Sequence, residues 1–105
     1  MAFMYVRYYG KLRELLGFRK EEYAVDEGTT LMDLLVNHIP QRHPEVSEAW
    51  AETLFKKVKG EVAQNKNGVP VLGNYLVTLN GKTASLGEKL KEGDEVAIMP
   101  PFGGG

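Results

Sequence analysis

At 105 residues the chain has room for one domain with one small core, and 43% hydrophobic with 26% charged residues is the balance of a folded globular protein. Its 13 basic and 14 acidic residues give a net charge of −1, which offers no general attraction to phosphate backbones or anionic lipid and argues against nucleic acid or membrane as a partner. Cysteine is absent, which excludes disulfides, thiolate metal sites, iron–sulfur ligation and a thiol nucleophile.

The opening residues carry no basic stretch followed by a long apolar one, and no uncharged run approaches the ~20 residues of a membrane span. A cytoplasmic location is the default expectation. Phe3 to Tyr9 is rich in aromatic and β-branched residues and predicts a strand, with Met4, Val6 and Tyr8 inward and the face of Phe3, Tyr5, Arg7 and Tyr9 outward. The stretch from Lys11 to Leu16 has a short helical spacing closed by Gly17, and Lys20 to Val25 predicts a second strand paired with the first. Asp26-Glu27-Gly28 is turn chemistry. Thr29 or Thr30 can then cap a helix, and Asp33 stands three residues after Thr30, the spacing of a capping box.

That helix places Leu31, Leu34, Leu35 and Ile39 along one stripe, which predicts that it lies across the sheet. Pro40 and Pro44 predict an irregular segment after it. Ser47 is a candidate cap for a second helix in which Trp50, Leu54 and Val58 recur every fourth residue. Gln64 to Gly68 reads as a polar loop. Tyr75 to Leu79 predicts a strand, Asn80-Gly81 a tight hairpin turn, and Lys82 to Ala84 a short return strand. Leu86 and Leu90 anchor a turn, Glu92-Gly93-Asp94 reverses the chain, and Val96 and Ile98 face inward on a last strand. A twisted sheet with one main helix packed across it satisfies this order.

Internal chemistry is sparse. His38 and His43 are five residues apart with Pro40 between them and match no ligand or triad spacing, so exposed or helix-end histidines are expected, with no metal site. Ser47 and Ser85 lack a nucleophile context and suit capping and turn roles. The acidic pairs Glu21-Glu22 and Asp26-Glu27, and the trio Glu92, Asp94 and Glu95, are expected at the solvated surface.

The informative stretch is the last one. Glu95 to Met99 is strand-like, and Pro100-Pro101 lack the N–H groups that a sheet ladder needs. Phe102 and three residues without a Cβ, Gly103, Gly104 and Gly105, follow. Such a segment can enter a narrow tunnel in a partner and present the Gly105 carboxylate to chemistry there. With Val96 and Ile98 inward, alternation places Ala97 and Met99 outward, where Phe102, Tyr5 and Leu76 complete an expected apolar docking patch.

Val6-Arg7-Tyr8-Tyr9-Gly10-Lys11-Leu12-Arg13-Glu14-Leu15-Leu16-Gly17 and the C-terminal half from Asn80-Gly81 through Met99-Pro100-Pro101-Phe102-Gly103-Gly104 together resemble the MoaD-like small subunits of molybdopterin synthase. Glu27 to Leu35 is similar to that family's main-helix start. The resemblance implies an α+β, β-grasp (ubiquitin-like) fold in one domain, 1–105, with a glycine tail at about 100–105. The stretch at about 50–73 looks like an insertion. It further implies a sulfur carrier, not catalytic alone and without a stably bound cofactor. An E1-like (MoeB-like) adenylyltransferase would adenylate Gly105 with ATP, a sulfur donor would convert the adenylate to a thiocarboxylate, and a MoaE-like large subunit would receive the tail and pass the sulfur to a pterin precursor. Two alternatives resemble the chain as well: a ThiS-like carrier for the thiamine thiazole, and a ubiquitin-like modifier joined through Gly105 to lysines. Three terminal glycines, where MoaD-like chains usually have two, depart from the pattern.

Overall fold

A computed structural model describes residues 1–100 of the chain. β1 (Ala2–Tyr8) and β2 (Lys20–Val25) form the expected antiparallel hairpin, with α1 (Lys11–Leu16) in its loop. Gly17 ends α1 at φ 81°, a left-handed position suited to glycine, and its N–H donates to the Arg13 carbonyl at 2.9 Å. The capping box is formed: Asp33 N–H donates to Thr30 Oγ1 at 3.2 Å, and Thr30 N–H to Asp33 Oδ2 at 3.1 Å.

The main helix continues past the proline that was expected to make the chain irregular. It consists of α2 (Leu31–Asp33), a π-helical turn (Leu34–His38) and α3 (Ile39–Arg42). Ile39 N–H donates to the Leu34 carbonyl, five residues back. In that wider register residue 40 would serve the Leu35 carbonyl, but proline has no N–H to give. The indole Nε1 of Trp50 donates there instead, at 2.8 Å. A side chain thus replaces the backbone donor that Pro40 lacks.

A 3₁₀ turn (Pro44–Val46) leads into α4 (Ser47–Leu54). Ser47 is not its cap, because Ser47 Oγ donates back to the Pro44 carbonyl at 3.1 Å and Val46 occupies the cap position. Trp50 and Leu54 are buried as their spacing predicts, but Val58 is exposed. The helix stops at Leu54 because Phe55 turns extended, and Val58 belongs to the hairpin of β3 (Lys57–Val58) and β4 (Glu61–Val62). This region is tied to the body by Lys56 N–H to Val71 O, 2.9 Å, and Gly73 N–H to Leu54 O, 2.8 Å.

β5 (Leu76–Leu79) and β6 (Lys82–Thr83) are joined by Asn80 and Gly81 at φ 53° and 84°, the two positive values that a type I′ turn requires. β7 (Glu95–Met99) completes a five-stranded sheet in the order β2-β1-β7-β5-β6, with β1 and β7 parallel and the other pairs antiparallel. One face is apolar: Met4, Val6 and Tyr8 of β1, Val77 of β5, and Val96 and Ile98 of β7 are buried beneath Leu31, Leu34, Leu35 and Ile39 of the main helix. This is the mixed, helix-crossed sheet of the β-grasp.

Candidate functional site

Alternation along β7 sends Val96 and Ile98 into the core and leaves Glu95, Ala97 and Met99 half-buried on the opposite, helix-free face. Register then decides their neighbours. Leu76 lies directly across from Met99, and Thr78 from Ala97, while on the other side Arg7 pairs with Ala97 and Tyr5 with Glu95. Tyr9 continues the parallel ladder, its N–H donating to the Ile98 carbonyl at 3.1 Å, which sets this exposed aromatic next to Met99. The structure therefore brings Met99, Ala97 and Leu76 together. Tyr5 shares their face but lies about 13 Å along the strand from Met99, four residues at the rise of a β-strand. The aromatic beside Met99 is Tyr9, which the alternation of β1 places on this face but whose neighbours only the register reveals.

Between Tyr5 and the apolar end is a charged group. Arg7 Nε lies 3.0 Å from Glu95 Oε1, Lys20 Nζ lies 3.7 Å from Glu95 Oε2, and the same ammonium stands 4.3 Å from the centre of the Tyr5 ring. With these side chains roughly two-fifths exposed, water screens the pairs, and each contributes at most about 1 kcal/mol to folding. They remain available to a partner's charges. Beyond Met99 the chain reaches Pro100, at the rim of this patch. Phe102, Gly103, Gly104 and Gly105 lie outside the described residues.

A second polar constellation sits on the inner side, where surface acids were expected. Glu21 is buried because the inward positions of β2 are 21, 23 and 25. Its Oε1 accepts from Tyr8 Oη at 2.8 Å and Tyr23 Oη at 3.1 Å; His43 Nε2 lies 2.9 and 3.0 Å from its two oxygens, and Arg42 Nε 3.7 Å from Oε2. His43 does stand at a helix end, as expected, but it is largely covered. Burial alone raises the Glu21 carboxyl, yet the hydrogen bonds of His43 and Tyr8 and the charge of His43 outweigh it, and the net shift is downward. Burial pushes both phenols up, that of Tyr23 to about 12. Both carboxylate oxygens are engaged, so this group is a structural clamp rather than a base. Asp94 is likewise buried: Asn80 Nδ2 donates to its Oδ1 at 2.9 Å and Lys91 N–H to its Oδ2 at 2.7 Å. Among the described residues, no group of three His, Asp or Glu could hold a metal ion.

Comparison with known proteins places this arrangement. The model of the ThiS family matches residues 6–105. The molybdopterin synthase sulfur carrier subunit of Chlamydomonas reinhardtii is 30% identical over 100 residues, covering 95% of each chain. Among solved structures, small archaeal modifier protein 1 of Haloferax volcanii superposes with a TM-score of 0.69 at 26% identity, covering 97% of this chain and 100% of the other. A Pyrococcus furiosus protein assigned as molybdopterin converting factor, subunit 1, gives 0.68 at 26%, with the same coverage. With the β-grasp sheet, the patch beside Met99 and a family match running through the final glycines, the chain belongs to the ThiS family, as a ubiquitin-like sulfur carrier of the ThiS/MoaD type.

Proposed function

We propose that the chain is the small subunit of a molybdopterin synthase and carries sulfur on its C-terminal glycine. One observation supports this above others: 95% of the chain aligns with 95% of a molybdopterin synthase sulfur carrier subunit. As a carrier the chain is not catalytic alone. An oxygen of the Gly105 carboxylate attacks the α-phosphorus of ATP on an E1-like enzyme, and pyrophosphate leaves. A donor then delivers sulfur at the sulfide level to the acyl carbon and AMP departs, giving the thiocarboxylate. Activation is required because a free carboxylate is a poor electrophile. In the large subunit the thiocarboxylate sulfur bonds to a pterin precursor, and water then cleaves the acyl carbon–sulfur bond, leaving the sulfur on the pterin and restoring the carboxylate. Met99, Ala97 and Leu76 dock the body, Tyr5 extends the contact, and Phe102 fills a pocket at the mouth of the tunnel that takes Gly103 and Gly104.

The test is mass spectrometry of the chain after incubation with an activating enzyme, ATP and a sulfur donor. Exchange of one terminal oxygen for sulfur is expected. Deleting Gly104-Gly105 should abolish it while leaving the melting temperature within about 2 °C, since small terminal segments contribute little to stability. A truncated chain that still receives sulfur overturns the reading. The likeness to small archaeal modifier protein 1 favours a second reading, attachment of Gly105 to target lysines, and a branched Gly105–lysine peptide would identify it.

A further inference from the structure

We propose that Gly10 is a positioning residue for the reactive end of the chain, acting through Pro100; this rests on the carrier reading above. Gly10 has φ 61° and ψ −136°, a combination that residues with a Cβ rarely adopt. A Cβ added there would come within 3.1 Å of Pro100 Cγ and 3.3 Å of Cδ, closer than ordinary van der Waals contact. The glycine cannot easily retreat. On one side Tyr9 N–H is bonded to Ile98 O at 3.1 Å, and on the other Glu14 N–H donates to the Gly10 carbonyl at 3.3 Å, fixing the start of α1. The β1–α1 turn is thus anchored to the sheet and to a helix, and the Pro100 ring must yield to any added side chain.

Gly10 occupies the N-cap position of α1 without a side-chain bond, and its positive φ by itself favours glycine there. What the missing Cβ provides is room for Pro100, the last described residue before the tail. Gly105 is the fifth residue after Pro100, a reach of at most about 17 Å, so the seat of the Pro100 ring sets where the tail starts relative to the docking patch. A displacement of a few tenths of an ångström there moves the point from which the tail sets out. Partner binding, which uses Met99, Ala97 and Leu76, is left intact.

The experiment is steady-state adenylation by the activating enzyme, read as pyrophosphate release, for wild type, Gly10→Ala, Pro100→Ala and the double variant, at a temperature where circular dichroism shows all four folded. Gly10→Ala should lower kcat about 10-fold and change KM for the carrier less than about 2-fold, the signature of misplaced rather than weakened binding. Pro100→Ala, which leaves the β1–α1 turn untouched, should lower kcat about 5-fold and keeps the test open if Gly10→Ala does not fold. In the Pro100→Ala background, Gly10→Ala should lower kcat much less than in wild type, about 3-fold or under, because the ring clash is gone and only the backbone strain of the positive φ remains. A wild-type kcat in either single variant, or equal kcat losses in both backgrounds, overturns the inference. Failure of wild type to release pyrophosphate would instead sink the carrier reading.

Discussion

β1 and β2 build two polar groups from nearly the same residue types on opposite faces of one hairpin. Inside, Tyr8, Tyr23 and Glu21 meet His43 and Arg42; outside, Tyr5 and Arg7 meet Lys20 and Glu95. The side chain of Glu21 is 6% exposed and that of Glu95 41%. Solvent alone separates their roles. Where water is excluded, every donor aimed at the carboxylate must be kept, so the inner group specifies the packing of β1, β2 and α3. Where water competes, the pairs are weak and exchangeable, which would suit the docking role proposed above.

The sharpest way to break this contrast is to remove each carboxylate. Glu21→Ala removes the shared acceptor of two buried phenols and a covered imidazole and should destabilise the fold by about 3 kcal/mol in urea denaturation. Glu95→Ala should cost less than about 1 kcal/mol, and comparable losses at both positions would erase the distinction. Next in size is Met99→Asp. A charge placed in the patch shared with Leu76 and Tyr9 should weaken binding to the large subunit by about 2 kcal/mol in calorimetric titration while lowering folding stability less. An unchanged affinity would move the docking surface elsewhere.

The smallest effect is the pH dependence. Glu21 titrates below its unfolded value, so its contribution is complete above the unfolded pKa of about 4.3 and fades as pH falls through the lower, folded pKa. Between Tyr8 on β1, Tyr23 on β2, and Arg42 and His43 at the end of α3, the ionised form is the one held. Urea melts of wild type and Glu21→Gln should therefore converge as pH drops below about 4 and be furthest apart near neutrality. A gap that widens in acid would mean that the carboxyl is held protonated.

Signals confined to a few neighbouring residues were legible: the alternation of β1, the Thr30–Asp33 box, the glycine after α1, and the Asn80-Gly81 turn. What escaped needed a partner far along the chain. At Pro40 the missing donor is supplied by Trp50, which comes back to the Leu35 carbonyl, and no local rule anticipates that donor. A four-residue period extended past Leu54 carries Val58 into a helix, but the backbone turns extended at Phe55. Glu21 could have been found, since Tyr23 and Val25 at the same parity of β2 are apolar or aromatic. In the site, Met99 and Ala97 followed from alternation, whereas the places of Tyr9 and Gly10 depend on the parallel register of β1 against β7, strands some ninety residues apart in sequence.

That register has a consequence for biogenesis. The strand at the middle of the sheet is the last of its five strands to be made, so β1 and β5 keep open edges until residues 95–99 have been synthesised. Pairing across such sequence separation is slow, and the half-sheets that precede it are the forms most exposed to aggregation or proteolysis. The Met99–Leu76 patch is assembled by the same event, because Met99 and Ala97 come from β7 itself. On the function proposed above, a ribosome-bound or truncated chain lacking that strand would have no patch for an activating enzyme to hold, and loading with sulfur would report that folding has finished.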